Sequence, residues 1–478
     1  MKEYEAIAIG TGSAMMVIDA MASRNPGKRY ALIDKDEPGG ICLTRGCIPS
    51  KLLIYPADLV RTIEEARELG IDAEIKRVDF AKVMARMHSI IDGDIAGIRK
   101  ALAGAPNTDY YNAAAEFAAP YTLRVGGETI QSKTIILGTG SRAAIPNVPG
   151  LSEAGYITSD SILHLKKLPE SVAIIGGGYI AAEYGHFLSA MGSKVTIIGR
   201  NPQFIPEEEP EVSRVAKSEM SRRMAIVTNQ EVVRVEKAMI GGKAIIARDW
   251  VTGKEMKFYA SEILVASGRI SNSDILHPER AGVALDAKGW IVVNERLETS
   301  QPGIYALGDA TGKWLFRHKA NHDAKVLFEN LVLGKNATVD YRAVPHAVFC
   351  HPEIASFGMR EAEAVKALGQ NNISIGFESY GNTGKGMAMN VKLGFCKVIV
   401  ENKTGRLLGA HIVGPHASVL LQELVNATYG GGIAQVNAAM YIHPALSEVV
   451  SRACRNIVPV EHYHHVLGHL FGNEGHGH

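Results

Sequence analysis

The sequence has little cysteine, no excess of either charge and no long apolar run. Its 478 residues include 5 cysteines and carry a formal net charge of +1, from 51 Lys and Arg against 50 Asp and Glu. This balance gives no electrostatic basis for binding nucleic acid or an anionic membrane surface. No uninterrupted apolar run approaches the roughly eighteen residues that a membrane helix needs. We therefore expect neither nucleic acid nor membrane as a partner.

The start of the sequence also lacks the apolar segment that is typical of a secretory signal, so we expect a cytoplasmic protein. Hydrophobic residues make up 46% and charged residues 21% of the chain, which fits a globular protein. Its length allows about two to four domains. In the reducing cytoplasm a close pair of cysteines more often serves catalysis than structure.

Such a pair is present at Cys42 and Cys47, within the segment CLTRGCIPSK. A redox disulfide needs two thiols that can close a small ring, and a local field that keeps one as thiolate after reduction. A zinc site would need further ligands at short spacing, but Cys350, Cys396 and Cys454 stand singly. We interpret Cys42 and Cys47 as a redox-active pair rather than as metal ligands or inert residues, and predict no metal site.

The N-terminal residues have the pattern of a dinucleotide-binding βαβ unit. An apolar strand at 6–9 runs into Gly10 and Gly12, a helix follows, and a second strand ends on Asp34. The glycines allow a pyrophosphate to approach the backbone, and the helix N-terminus favours its negative charge. Asp34 can accept a hydrogen bond from a ribose hydroxyl.

A second unit of the same kind begins with a strand at 171–175, followed by Gly176, Gly178 and a helix. Two units imply two bound dinucleotides. The strand at 194–198 leads to Arg200 rather than to an acid. An acid there would accept from the 2′-hydroxyl of NAD, whereas an arginine suits a 2′-phosphate. We therefore predict NADP, with NAD as the alternative because an arginine at a strand end can also be an ordinary solvated charge.

The cysteine segment and its distance from the first βαβ unit resemble the flavin-dependent, class I pyridine nucleotide-disulfide oxidoreductases, nearest the dihydrolipoamide dehydrogenase and mercuric reductase branch. The resemblance covers nearly the whole chain, except for its His-rich end. It implies an α/β fold with two Rossmann-like domains, for FAD and NAD(P), and a C-terminal α+β dimerisation domain. The boundaries that we expect are an FAD domain at 1–150, an NAD(P) domain at 151–270, a central domain at 271–341, an interface domain at 342–460 and a tail at 461–478.

The resemblance also implies roles for residues around the flavin. Cys42 would be the interchange thiol that meets the substrate, and Cys47 the thiolate that stacks against the flavin. Lys51 would lie near the flavin ring, with Glu183 as its partner. Two departures from the family pattern, Ser271 for a proline and Cys350 for a threonine, leave the redox pair intact.

Further segments resemble family motifs that complete the two nucleotide sites. Gly140 lies in one strand-to-turn segment, and Gly268 and Arg269 lie in the other. Gly308 and Asp309 resemble the second FAD motif, in which the acid bonds the ribityl chain. In the interface domain, segments 391–400 and 407–414 are predicted to be strands.

A histidine, a proline and a glutamate close to the C-terminus resemble the acid-base motif of the family. His443 would move protons to and from the dithiol, and Glu448 would hold its imidazole ring. Dithiol exchange needs such a group, since a thiol must lose a proton before it attacks and the leaving thiolate must gain one. We expect Pro444 to begin a helix. For the tail we favour a solvated or partner-contacting extension over a metal-binding segment.

These features predict an NAD(P)H-linked flavoprotein that exchanges electrons with a small disulfide or a lipoyl-type carrier and acts as a homodimer. Dihydrolipoamide dehydrogenase is the nearest named activity, although that branch generally has an acid at the position of Arg200. Mercuric-type metal reduction is an alternative, weakened because the sequence has no vicinal cysteines near its C-terminus. A non-catalytic docking subunit is a third alternative, which the intact cysteine segment opposes.

Overall fold

The computed structural model describes residues 1–238 and 242–471. Parallel and mixed sheets are covered by helices on their faces, so the predicted α/β class with two dinucleotide-binding units is confirmed. Within the described residues, no helix has both the length and the apolar character needed to cross a bilayer.

The first unit is built on a parallel sheet. Its strands are β1 (Lys2–Glu3), β2 (Ala6–Ile9), β3 (Tyr30–Ile33), β4 (Thr108–Tyr111), β5 (Ala115–Ala119), β6 (Thr122–Val125), β7 (Glu128–Gln131), β8 (Ile135–Leu137) and β9 (Ser141–Ala143). Its helices are α1 (Ser13–Arg24), α2 (Gly40–Thr44), α3 (Cys47–Glu65) and α4 (Phe80–Ala103). The parallel sheet has the order β8, β2, β3, β4, and a second sheet has the order β1, β7, β6, β5.

Close backbone contact at the end of β2 explains the first glycine of the unit. Gly10 has a φ of +106°, and a Cβ added there would lie 2.1 Å from the carbonyl oxygen of Gly138. Only glycine tolerates both the left-handed conformation and this approach. The carboxyl ends of β2 and β8 can therefore meet directly beneath the N-terminus of α1.

The second unit repeats this plan. Its strands are β10 (Ile157–Thr158), β11 (Ser171–Ile175), β12 (Lys194–Ile198), β13 (Ala225–Val227), β14 (Gln230–Lys237), β15 (Lys243–Asp249), β16 (Glu255–Ala260), β17 (Glu262–Val265) and β18 (Arg269–Ser271). Its helices are α5 (Leu151–Ala154), α6 (Tyr179–Met191) and α7 (Pro210–Met220). The parallel sheet has the order β10, β17, β11, β12, β13, and β18 pairs with β9 of the first unit.

The segment after the second unit returns to the first one. Strand β19 (Ile304–Ala306) pairs in parallel with β8 and extends the first sheet, and helix α8 (Arg317–Leu331) packs against α1. Residues from the predicted FAD and central domains thus share one sheet. The four predicted domain boundaries stay predictions.

The C-terminal region is built on a six-stranded antiparallel sheet with the order β20, β21, β24, β23, β22, β25. These strands are β20 (Pro345–Val348), β21 (Ile354–Gly358), β22 (Ile373–Ser379), β23 (Phe395–Glu401), β24 (Leu407–Val413) and β25 (Ile457–Pro459). The helices are α9 (Glu361–Leu368), α10 (Gly384–Ala388), α11 (Ala417–Gly430), α12 (Ile433–Ala438), α13 (Ser447–Arg455) and α14 (Val460–Phe471).

Two predictions for this region were wrong in part. The strand expected from residue 391 begins at Phe395, because the Val391 amide donates to the Gly386 carbonyl at 3.1 Å and closes the turn after α10. The tail is not simply a solvated extension, because α14 packs on the body of the protein. Tyr463 is 1% exposed and donates to Glu211 at 2.8 Å. Residues 472–478 lie outside the described residues.

Candidate active site

Cys42 lies in the middle of the short helix α2, and Cys47 is the first residue of α3. A turn with positive φ at Gly39 and Gly40 sets α2 against the first nucleotide-binding turn, since a Cβ added to Gly40 would lie 2.6 Å from the Cα of Gly12. Cys42 is half-buried, Cys47 is exposed, and both are free thiols that line a common cavity. The predicted pair is therefore brought together at the edge of the first unit.

Hydrogen bonding between the sulfurs makes the pair titrate as a unit. The Cys47 thiol donates to Cys42 and, with the charges of Arg317 and Lys51, lowers the pKa of Cys42 to about 7. The same bond, and the desolvation of its sulfur in the cavity, raise the pKa of Cys47. The resemblance assigns the thiolate to Cys47, whereas the hydrogen bond from the Cys47 thiol favours the thiolate at Cys42. A reduced pair thus carries one thiolate near neutral pH, which is the nucleophilic form of a thiol.

Lys51 and Glu183 form an ion pair beside the cysteines, as expected. Lys51 Nζ lies 2.9 and 2.8 Å from Glu183 Oε1 and Oε2. Glu183 Oε1 also accepts from the Phe349 amide at 3.0 Å, and the Lys51 ammonium lies 4.6 Å from the centre of the Phe349 ring. The pair connects α3, α6 and the C-terminal region, which fixes a positive charge next to Cys47.

The first cleft is suited to a dinucleotide with a pyrophosphate. It is lined by the two cysteines and by all the residues predicted for FAD, namely Gly10, Gly12, Asp34, Gly140, Gly308 and Asp309. The N-terminus of α1, directly after Gly12, is where a pyrophosphate could meet backbone N–H groups. These residues fit FAD.

Asp34 has a structural task in addition to the expected one. Its Oδ2 accepts from the Thr11 amide at 2.9 Å and from the Thr11 hydroxyl at 2.6 Å, while Oδ1 accepts from the Asp36 amide at 3.0 Å. The carboxylate therefore holds the glycine turn in place while it lines the cleft. Each carboxylate oxygen has more than one acceptor site, so a ribose hydroxyl can still donate to it.

A serine that sequence reasoning did not select joins the two nucleotide sites. Ser141 donates to Asp309 Oδ2 at 2.7 Å and accepts from Arg269 Nε at 2.8 Å. Arg269 also donates to the Ser141 carbonyl at 2.8 Å. The β9–β18 pair creates these contacts, so the arginine of the second unit is fixed over the second FAD motif.

The turn that carries Asp309 is supported by a buried ion pair. Lys319 Nζ lies 2.7 Å from Asp323 Oδ2, with both side chains almost fully buried, and that same oxygen accepts from the Gly308 amide at 2.9 Å. The sequence gives no sign of this role. A lysine and an aspartate four residues apart are equally typical of an exposed helix surface.

The second cleft, of about 630 Å³, is lined by all the residues predicted for the nicotinamide dinucleotide. They are Gly176, Gly178, Arg200, Gly268 and Arg269. A Cβ added to Gly176 would lie 2.2 Å from the Ala266 carbonyl oxygen, which repeats the strand contact of the first unit. A third cavity, of about 530 Å³, shares lining residues with each of the two clefts and is lined by both cysteines, Lys51 and Glu183.

The acid-base pair is formed but lies apart from the cysteines of the same chain. His443 Nδ1 lies 3.0 Å from Glu448 Oε1, and this hydrogen bond lowers the pKa of Glu448. The His443 side chain is 72% exposed, and neither residue lines the three cavities.

Pro444 does not begin the helix as predicted. Helix α13 begins at Ser447, because the Ala445 amide donates to the Glu448 carboxylate at 3.1 Å and forms a turn there.

Within the residues that the structure describes, no cluster of His, Cys, Asp or Glu has the arrangement of a metal site.

Comparison with known proteins places this architecture in a family. Residues 4–324 match the pyridine nucleotide-disulphide oxidoreductase family, and residues 344–454 match the dimerisation domain of that family. The chain belongs to this family, whose members bind FAD and NAD(P). It is a FAD-dependent, NAD(P)H-linked disulfide oxidoreductase, which confirms the prediction from the cysteine segment.

Two curated relatives and one solved structure illustrate the similarity. Mycothione reductase of Mycobacterium tuberculosis is 37% identical over 467 residues, covering 95% of this chain and 99% of that protein. Dihydrolipoyl dehydrogenase of Chlamydia pneumoniae is 32% identical, covering 94% and 95%. The HOCl-induced flavoprotein disulfide reductase RclA of Escherichia coli, in a Cu(II) complex, superposes with a TM-score of 0.83 at 28% identity, covering 95% of this chain and 99% of that one.

Proposed function

We propose that this protein is a homodimeric reductase that uses NADPH to reduce a small disulfide. The observation that carries the proposal is the position of the Cys42–Cys47 dithiol, which lines both the first cleft and the third cavity. The third cavity in turn shares Tyr179, Ile180 and Arg269 with the second cleft. The similarity to mycothione reductase supports a low-molecular-weight thiol disulfide as the substrate class. Arg200 at the end of β12 supports NADPH, because it lines the second cleft and can bond a 2′-phosphate.

In this proposal the chemistry divides between the cofactor and the side chains. Bound FAD supplies the transfer of two electrons between the nicotinamide and the cysteine pair. The Cys42 thiolate attacks one sulfur of the substrate and breaks its S–S bond, and the first thiol leaves. Cys47 then attacks Cys42 Sγ, which releases the second thiol and closes the Cys42–Cys47 disulfide.

Each leaving thiolate needs a proton, which we assign to His443 of the partner subunit. Glu448 orients the imidazole ring through its 3.0 Å bond to Nδ1, so that the other ring nitrogen is available for proton transfer. Lys51, held by Glu183, keeps a positive charge beside the pair. FAD would be held by the residues of the first cleft, Gly10, Gly12, Asp34, Gly140, Gly308 and Asp309. The nicotinamide dinucleotide would be held by those of the second cleft, Gly176, Gly178, Arg200, Gly268 and Arg269.

A substrate screen tests the proposal. Mycothione, glutathione disulfide, coenzyme A disulfide, oxidised lipoamide and Hg(II) are offered with NADPH and with NADH, and kcat/KM is measured for each pair. We expect one of the three low-molecular-weight thiol disulfides with NADPH to give the highest kcat/KM. Oxidised lipoamide with NADH as the best pair would favour a dihydrolipoyl dehydrogenase instead, which the similarity to the Chlamydia pneumoniae protein makes the second candidate. Turnover of Hg(II) alone would contradict both.

A further inference from the structure

Arg317 stands out among the charged residues of the first cleft. That cleft is lined by four acidic and three basic side chains, Asp34, Asp36, Glu37, Asp309, Lys35, Arg45 and Arg317. Lys35 and Arg45 both pair with Asp36, at 3.0 and 2.6 Å. Arg317 has no hydrogen bond or ion pair with any residue in the ranges 1–238 and 242–471. A half-buried guanidinium without a partner indicates a place for an anion.

The guanidinium lies over the first nucleotide-binding turn. A Cβ added to Gly12 would lie 3.7 Å from Arg317 Nη1, and Gly12 directly precedes the first residue of α1. One turn further along α8, Asn321 accepts from the Ser13 hydroxyl at 2.9 Å. Residues 317 and 321 share a helix face. This face of α8 is therefore fixed against the N-terminus of α1, and the Arg317 guanidinium lies beside the glycine turn.

We propose that Arg317 binds the pyrophosphate of FAD, completing an anion site whose other half is the N-terminus of α1. The inference rests on the proposed placement of FAD in this cleft. Asp34 and Asp309 have no ion pair within the described part of the chain and would repel a doubly charged pyrophosphate, and a helix N-terminus supplies only about half a positive charge. The guanidinium offsets this repulsion and can donate two parallel hydrogen bonds to phosphate oxygens.

The test compares FAD with riboflavin, which carries the same ring system but no phosphate. In Arg317→Met, we expect FAD release from the holoenzyme to accelerate and the Kd for FAD to rise on the order of 10- to 100-fold, the loss typical of a charge-assisted contact. Riboflavin binding to the same protein after flavin removal should not change. Flavin fluorescence measures the binding of FAD and of riboflavin, and circular dichroism verifies folding.

Two further variants sharpen the comparison. Arg317→Lys keeps the charge but loses the planar fork, so FAD binding should weaken less than in Arg317→Met. This variant tests the same contact if the methionine variant does not fold. Lys325→Met removes a positive charge from an exposed position on the same helix, and its Kd for FAD should equal that of the wild type.

Three results would overturn the proposal. Equal weakening of FAD and riboflavin in Arg317→Met would place the guanidinium at the flavin ring. Unchanged FAD affinity with an altered pH profile of Cys42 alkylation would place it at the thiolate. An unchanged Kd for FAD in both Arg317→Met and Arg317→Lys would show that Arg317 has no role in FAD binding. Because these measurements need no turnover, failure of the proposed disulfide reduction would be seen separately, in the substrate screen.

Discussion

His443 and Glu448 form a complete hydrogen-bonded pair, at 3.0 Å between Nδ1 and Oε1, on a part of the surface where apolar side chains are also exposed. Met440 is 99% exposed and Ile442 is 78% exposed, and both are within three residues of His443. This segment lies between α12 and α13 of the dimerisation domain. An exposed apolar segment next to an acid-base pair is the arrangement expected if a second subunit covers it and receives the pair into its own site.

The first prediction concerns this shared site. Cys42→Ser and His443→Gln homodimers should each be inactive, while a mixture of the two chains regains about a quarter of wild-type turnover, because about half of the randomly mixed dimers keep one intact site. Co-expression with two affinity tags and a disulfide reduction assay measure the recovery. Verified heterodimers without activity, or a fully active monomer, would contradict a site built from two subunits.

The second prediction concerns the thiolate. Since alkylation needs the deprotonated sulfur, the rate of iodoacetamide reaction at Cys42 of the reduced enzyme should rise with pH through a midpoint of about 7. Cys47→Ala removes the thiol that donates to Cys42, the largest cause of the lowered pKa, so the midpoint should move up. Mass spectrometry of the labelled peptide measures the rate. An unchanged midpoint in Cys47→Ala would contradict the coupling of the two sulfurs.

The remaining three cysteines should give little background in this experiment. Cys350, Cys396 and Cys454 are buried, and burial raises the pKa of each thiol. They should stay unlabelled over the same range of pH in the folded protein.

The third prediction concerns the choice of nicotinamide. Arg200→Glu should lower kcat/KM for NADPH by about 10- to 150-fold, corresponding to about 1.5–3 kcal/mol for a lost charge-assisted contact. The value for NADH should fall much less, because NADH has no 2′-phosphate. Arg222→Glu makes the same charge change at an exposed position after α7 and should alter neither value. Equal use of both nicotinamides by the wild type would show that Arg200 does not select the cofactor.

The fourth prediction concerns stability. Lys397 is fully buried and lies 3.4, 2.9 and 2.7 Å from carboxylate oxygens of Glu209, Glu211 and Glu361. Burial alone would lower the pKa of this lysine, but the three carboxylates outweigh it and raise the pKa. Lys397→Met leaves these carboxylates without their counter-charge, so the free energy of unfolding should fall by about 3–5 kcal/mol.

Urea unfolding of Lys397→Met and of a matched control measures this effect. Lys392→Met removes a lysine whose side chain is 57% exposed and whose partner is Glu68, so the loss should be at most about 1 kcal/mol. Similar losses in the two variants would show that the buried charge cluster does not stabilise the fold.

Local patterns in the sequence determined the two nucleotide-binding units. β11 and β12 have the predicted bounds, because short apolar runs bounded by glycine turns define buried parallel strands without help from distant residues. The spacing of Cys42 and Cys47 likewise identified the redox pair, since ring size depends only on the chain between the two sulfurs. Family resemblance, rather than periodicity, supplied the predictions for Glu183, Asp309 and His443.

Only the tertiary structure decided which distant residues share a site. Arg317 faces the Gly12 turn because α8 packs against α1, and Ser141 bridges Asp309 to Arg269 because β9 pairs with β18. The start of β23 and of α13, and the packing of α14, were mispredicted for the same reason. Each depends on hydrogen bonds or buried charges that the folded chain brings together, and no local pattern of side chains records such contacts.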